Sequence, residues 1–355
     1  MAGGGTGGHV VPSLAVARAL AAHGHRAVFI GTRGGLEARL VPPAGFEIEW
    51  IETGAWQRVS WARRLKTLWQ IPASFWRSWQ VLKSSRAAAV FSLGGYVAAP
   101  VVAAALIRRV PVVAMEPNAM PGLVNRLTGR WVSKALLGFA GGPAWFPPGR
   151  SEVTGVPVRA DFFSIQPRPV LRELSILITG GSRGSRTLNA AFEASWPLFR
   201  NEGVKVRFRH QSGVDAHAAL ALAFSEAGMA GTVEPFIGDM PGAFDEADLV
   251  ICRSGANAVA ELAAAGKPSI LVPFPFAADD HQKKNAEAMV RAGAARLVED
   301  RDMDGARLFN EVMRFLHDPE SLRRMGEAAR RQAHPEAARR AAAILEQVAG
   351  VRSAS

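Results

Sequence analysis

S-I-L-I-T-G-G-S-R-G-S-R-T-L-N-A-A-F (residues 175–192) joins a β-branched apolar run, a glycine turn and a helical stretch without a break. Strand, bare turn and helix in that order open a Rossmann unit and form its phosphate-binding corner. The start of the chain, M-A-G-G-G-T-G-G-H-V-V-P-S-L-A-V-A-R-A-L (1–20), repeats the turn and the helix. Two such units about half a chain apart predict two Rossmann-like parallel-sheet domains facing a cleft. Other apolar runs fit the plan as strands: 26–31, 88–93, 111–115, 204–209, 248–252 and 268–273. Helical stretches separate them, among them Pro12–His23, Arg183–Arg200, Asn257–Ala265 and Gln282–Ala292. Short strands buried on both faces and alternating with helices read as parallel α/β sheets.

At about 150 residues per domain, the 355 residues suit two domains. A Gly/Pro-rich zone, from G-G-P-A-W-F-P-P-G-R (141–150) to R-A-D-F-F-S-I-Q-P-R-P (159–169), is the expected linker. The division is then 1–158 and 159–330, with 331–355 as a helical tail rich in Ala and Arg. One element departs from the plan. Only Met1 and Ala2 precede the first glycine loop, so the first strand is expected to be missing. Loss of a central parallel strand exposes apolar faces, and a start site assigned too far downstream is the expected cause.

Composition narrows the function. Apolar residues make up 48% of the chain, enough for two full cores and too many for a disordered protein. A net charge of +11 points to an anionic partner: nucleic acid, a membrane surface or a phosphorylated substrate. The single cysteine, Cys252, excludes an internal disulfide. No signal peptide is read at the N-terminus. The best apolar run, Tyr96–Ile107, falls short of the ~20 residues of a spanning helix. A soluble or peripheral protein is expected.

The glycine loops carry the chemistry. Bare amides at a helix N-terminus bind anions, and glycine lets the ligand approach closely. Gly3, Gly5 and Gly8 match G-x-G-x-x-G, but Gly31-Thr32-Arg33 stands where a nicotinamide enzyme needs an acidic residue. No Gly-Lys-Ser/Thr occurs, which excludes a P-loop. A single loop could be a tight turn and nothing more; two on opposed domains favour a phosphate-bearing substrate. His9 ends the first loop. It is either a solvated cap or a base, since a helix N-terminus favours neutral imidazole.

Residues 56–83, W-Q-R-V-S-W-A-R-R-L-K-T-L-W-Q-I-P-A-S-F-W-R-S-W-Q-V-L-K, hold five of the nine tryptophans. Trp61, Leu65, Leu68, Phe75 and Trp79 recur at mostly helical spacing among Arg and Lys, although Pro72 should break or kink the run. Aromatic anchors with basic flanks suit an anionic bilayer surface, and a core helix with a solvated basic face is the alternative. No nucleic-acid module is recognisable, so nucleic acid is not an expected partner. D-R-D-M-D-G-A-R-L-F-N-E (300–311) matches a calcium-loop pattern, but a strand precedes it where the motif has a helix. It reads as a chance match in which Asp302 or Asp304 caps a helix, and no metal is expected.

Seven motifs occur together: G-G-G-T-G-G-H (3–9), S-L-G-G-Y-V-A-A-P (92–100), E-P-N-A-M-P-G (116–122), G-V-P-V-R (155–159), G-G-S-R-G-S-R-T-L-N (180–189), C-R-S-G-A-N-A-V-A-E (252–261) and D-D-H-Q-K-K-N-A (279–286). In that order the chain resembles the MurG glycosyltransferase family. The resemblance implies a GT-B fold and inverting transfer of GlcNAc from UDP-GlcNAc to the 4-hydroxyl of MurNAc in undecaprenyl-linked lipid I. It implies no cofactor, and a peripheral place on the anionic cytoplasmic face of the bacterial membrane. By the same resemblance Ser182 meets the α-phosphate, Glu261 the ribose and the backbone of Ile237 the uracil. Ala256, Asn257, Ala258, Val259 and Ala260 shape that site. Asn118 and Gln282 read the sugar, and Arg159 is a further donor-site position. Thr6, Gly7, Gly8 and His9 face the acceptor's diphosphate, with His9 as candidate base. Pro117, Val156 and Asn257-Ala258 depart from the family's usual residues. A related transferase with another lipid or natural-product acceptor, or a non-catalytic sugar-nucleotide-binding relative, are the alternatives.

Overall fold

The computed structural model describes residues 1–4, 7–52, 61–140, 145–167 and 173–351, with the side chains of 61–69 outside that description. The chain forms two compact units, Met1–Arg159 with His334–Ser355, and Ala160–Ala333. The C-terminal segment is therefore part of the first unit and not a separate tail.

In the first unit the elements run α1 (Gly7–Ala22), β1 (Val28–Gly31), α2 (Glu37–Leu40), β2 (Glu47–Trp50), α3 (Trp61–Ser84), β3 (Val90–Ser92), α4 (Gly95–Ile107), β4 (Val112–Glu116), α5 (Leu123–Thr128), β5 (Lys134–Leu137) and β6 (Ser151–Val153). All strand pairs are parallel, β1 with β2 and β3-β4-β5-β6 in sequence. Ala2 bridges the two groups, pairing in parallel with Ile30 on one side and Ser92 on the other. Its N–H donates to Phe91 O at 2.7 Å, its carbonyl accepts from Leu93 N at 3.0 Å, and Ile30 N donates to Met1 O at 2.9 Å. The place of the expected missing strand is thus held by a stub at Met1–Ala2. Ala2, fully buried, joins Val90, Val97, Val101, Val112 and Ala135 in the core.

The second unit contains α6 (Asp161–Ser164), β7 (Leu174–Thr179), α7 (Arg186–Asn201), β8 (Val206–Gln211), α8 (Val214–Glu226), β9 (Gly231–Glu234), α9 (Met240–Glu246), β10 (Leu249–Cys252), α10 (Ala256–Ala265), β11 (Ser269–Leu271), α11 (His281–Arg291), β12 (Arg296–Leu297), α12 (Gly305–His317) and α13 (Pro319–Arg330). The last helix of the chain, α14 (Ala337–Ala349), belongs to the first unit. The second sheet is fully parallel, in the order β12-β11-β10-β7-β8-β9. Its core is aromatic: Phe192 packs against Trp196, Phe208 and Phe224, with centroids 5.1 to 5.4 Å apart. Truncating such a buried ring costs about 3–5 kcal/mol.

Strand order decides where a ligand can bind. In an open parallel sheet the crevice opens at the carboxyl ends, where successive connections leave in opposite directions. In the second unit that point lies between β7 and β10, and in the first it lies at Ala2, between β1 and β3. The two glycine turns follow those strands.

Candidate active site

The turn after β7 is built by backbone packing. A Cβ on Gly184, at φ +72, would lie 2.0 Å from the carbonyl oxygen of Ser212, so only glycine fits. Ser185 caps α7 by accepting the N–H of Leu188 at 3.3 Å. Ser182 stands exposed on the turn before this helix, where an anion gains from the helix dipole.

Three hydrogen-bonded ties draw the other donor-side residues to the turn. Arg253, just past β10, donates to Ser185 Oγ at 2.7 Å and to Asp300 at 2.5 Å, and holds the carbonyls of Val272 and Pro273. Ser254 donates to the carbonyl of Gln282 at 2.8 Å, and Asn285 donates to the carbonyl of Ser254 at 3.1 Å. Gln211, at the end of β8, donates to the carbonyl of Gly181 at 2.7 Å and accepts the N–H of Ile237 at 2.8 Å. Around this point α10 begins with Gly255 as its N-cap and no side-chain cap. Asn257, Ala258, Ala260 and Glu261 lie half-buried on α10, while Ala256 and Val259 are buried. Gln282 accepts the N–H of Phe274 at 3.0 Å. Asp279 and Asp280, just before α11, both adopt positive φ, +52 and +51, a strain typical of ligand-binding turns. Ser182, Ile237, the 256–261 stretch and Gln282 therefore share one end of the second sheet. Cys252 is no nucleophile: burial and the nearby Glu261 push its thiol up to about 12, against the opposing effect of Arg253.

In the first unit, α1 starts at Gly7, which places Gly7, Gly8 and His9 in its first turn. Thr6 lies outside the described residues. His9 Nδ1 is 3.1 Å from the carbonyl oxygen of Gly4. A carbonyl only accepts, so Nδ1 carries the proton and Nε2 the basic lone pair. The imidazole lies against the β3–α4 turn, where a Cβ on Gly95, at φ +75, would come within 3.0 Å of the ring. On the other side of that turn, the neighbouring Gly94 leaves room for Asn125.

Asn125 leads to a buried carboxylate that the sequence did not single out. Glu116 is 2% exposed at the end of β4. Burial pushes its carboxyl up, opposed by donors from Asn125, Asn118 and Gly122. Asn118 donates both its N–H and its side-chain amide to Glu116 Oε1, at 3.0 and 3.2 Å, and Gly122 N and Asn125 Nδ2 reach Oε2, both at 2.8 Å. Asn118 is thus fixed by Glu116. Arg159 is half-buried in the irregular segment that closes the first unit.

The stretch expected to meet a membrane is α3. It runs through Pro72 without a break, and in the turn beyond Ser78 donates to Ser74 O at 2.7 Å while Ser74 donates to Glu52 O. Trp61, Leu65 and Leu68 carry side chains outside the description. Phe75 and Trp79 correct the expected outward face. Both are half-buried and pack against the core, and Arg108 stacks on Trp79 at 4.7 Å. Among the described residues of this helix, the exposed large apolar side chains are Ile71 and Trp76, 46% and 59% accessible. No helix among the described residues is long and apolar enough to cross a membrane.

The calcium-like stretch is used otherwise. Asp304 caps α12 by accepting Arg307 N at 2.7 Å, Asp300 holds Arg253, and Glu311 pairs with Arg296 and Arg307.

The N-terminal domain of glycosyltransferase family 28 matches residues 1–137, and the family's C-terminal domain matches residues 175–341. The chain belongs to glycosyltransferase family 28. Within family 28 lies a Solibacter usitatus protein, 57% identical over 349 residues, covering 98% of this chain and 95% of its own length. It is named UDP-N-acetylglucosamine--N-acetylmuramyl-(pentapeptide) pyrophosphoryl-undecaprenol N-acetylglucosamine transferase. A protein of the same name from Halorhodospira halophila is 41% identical over 355 residues, covering 98% of each chain. Among solved structures, Acinetobacter baumannii MurG superposes with a TM-score of 0.80 at 31% identity, over 97% of this chain and 98% of that one. The GT-B fold class is therefore that of the family. The glycosyltransferase of kitacinnamycin, TM-score 0.76 at 18% identity over 96% of each chain, shares the fold alone. The family 28 motifs were legible as short strings, but Gln211, Glu116 and Asn125 were not singled out. Glu116 opens the quoted string E-P-N-A-M-P-G, whereas the one signal for Gln211 was its position at a strand's carboxyl end.

Proposed function

We propose that this chain transfers GlcNAc from UDP-GlcNAc to the 4-hydroxyl of MurNAc in undecaprenyl-linked lipid I, forming a β-1,4 link and releasing UDP. The observation that carries the reading is the 57% identity to the Solibacter usitatus transferase over 98% of this chain, which takes in both units. The site chemistry supports it. In an inverting displacement the acceptor oxygen attacks C1 of GlcNAc as the bond from C1 to the diphosphate oxygen breaks. The hydroxyl proton passes to a base, and negative charge develops on UDP. His9 suits the base, since an imidazole at the start of α1, oriented through Nδ1 by the carbonyl of Gly4, is the residue type for proton transfer near neutral pH. Ser182 and the amides leading into α7 suit the developing charge, because prealigned dipoles stabilise it without reorganisation. Ile237 has given its N–H to Gln211, so its carbonyl is the main-chain group left to meet a base, and a carbonyl suits the N3–H of uracil. Glu261 meets the ribose, Asn118 and Gln282 the sugar, and Arg159 a further part of the donor. Ile71 and Trp76 on α3, among Arg and Lys, anchor the chain to the anionic inner face of the cytoplasmic membrane, where the lipid acceptor resides. The chemistry draws on no cofactor.

A lipid I analogue lacking only the MurNAc 4-hydroxyl tests the reading. Labelled GlcNAc is expected on the parent analogue and absent from the deoxy one. Equal labelling of both would refute the assignment of the acceptor atom.

A further inference from the structure

Gln211 is 1% exposed and belongs to no motif that first marked the site. Its side-chain amide serves three segments at once. Nε2 donates to the carbonyl of Gly181 at 2.7 Å and to Thr179 Oγ1 at 3.3 Å, while Oε1 accepts the N–H of Ile237 at 2.8 Å. Thr179 Oγ1 accepts in turn from Gly181 N at 3.2 Å. One end of this buried group therefore fixes the glycine turn beside Ser182, and the other fixes the loop between β9 and α9. That loop has no ladder of its own to hold Ile237.

The two partners need opposite polarity: Gly181 requires a donor and Ile237 an acceptor. An uncharged amide supplies both from one planar group, whereas a carboxylate only accepts and a thioether donates nothing and accepts weakly. A buried, fully paired polar group of this kind holds its neighbours in one arrangement, because every alternative leaves a polar atom unpaired.

We infer that Gln211 is the positioning residue that sets the span between the base-binding and diphosphate-binding halves of the donor site, so that the site prefers intact UDP to nucleotides of another base. The inference rests on the donor reading above and deepens it. Gln211 touches no reacting atom. It acts through Gly181 and Ile237, so its removal should weaken donor binding far more than turnover. A residue that only holds the fold would lower the thermal midpoint and the active fraction, and would leave the apparent donor affinity and base preference alone.

The test compares the full-length wild type with Q211E and Q211M. Dissociation constants for UDP and CDP are measured by calorimetry, KM and kcat for UDP-GlcNAc in the transfer assay, and thermal midpoints in parallel. The expected result is a rise of at least tenfold in Kd for UDP and in KM for UDP-GlcNAc, with kcat within threefold and the preference for UDP over CDP reduced. Q211M keeps the volume without introducing a buried charge, so it decides the matter if Q211E fails to fold. Wild-type binding of UDP with unchanged Kd and base preference in a folded Q211M would overturn the positioning role and leave the donor reading intact. A drop in kcat and midpoint alone would also overturn it. A wild type that binds no UDP would overturn the donor reading, and this inference with it.

Discussion

His9 shows what one residue can and cannot reveal from sequence. The glycines around it marked an anion loop, and its place at the helix start made it a candidate base. Its proton position needed the fold, because that is set by the carbonyl of Gly4 across the bend of the loop. The account expects His9→Ala to lower kcat by about 10²–10⁴-fold, the usual worth of a general base, with KM for UDP-GlcNAc within about threefold. Single-turnover and steady-state rates check this, and a kcat within about tenfold of wild type would remove the base role. Gln211 was illegible for a physical reason. A buried polar side chain is defined by its partners, and those of Gln211 lie 30 and 26 residues away. By contrast Asp304 was legible as a cap, since a cap bonds only three residues ahead.

At the scale of elements, the alternation of apolar runs and helical stretches located strands and helices well, because both periodicities are local. α3 marks the limit. Its spacing announced a helix with an apolar stripe, but spacing does not say which stripe meets the core. Phe75 and Trp79 took the inner side because α4 packs there, which left Ile71 and Trp76 outside. The membrane contact is therefore expected to depend on the latter pair. I71S/W76S should reduce sedimentation with vesicles rich in phosphatidylglycerol by at least about tenfold, equivalent to about 1.4 kcal/mol of lost burial. It should leave soluble UDP binding unchanged. Undiminished vesicle binding would move the contact elsewhere on the first unit.

At the scale of the whole molecule, two glycine-turn units half a chain apart suggested a division of the chain. The destination of its end was not legible, since nothing local tells a helix which domain to join. Contacts from far back in the chain decide it. Glu346 on α14 is buried and sits 2.7 Å from His23 Nδ1 and 3.1 Å from His25 Nε2, just past α1, while Arg340 pairs with Glu152 of β6. Glu346→Ala leaves both histidines without that acceptor and should cost the first unit about 1–3 kcal/mol. This would be read as a lower thermal midpoint with UDP affinity preserved, because Ser182, Ile237 and Glu261, proposed to meet the nucleotide, belong to the other unit. An unchanged midpoint would show that α14 is held without the Glu346 contacts, by its apolar packing and the Arg340–Glu152 pair. Acceptor-dependent transfer from UDP-GlcNAc is tested by UDP release measured in EDTA, with and without a lipid I analogue. Release that requires the analogue and persists in EDTA is the predicted result. UDP-GlcNAc binding with no release on adding the analogue would contradict it.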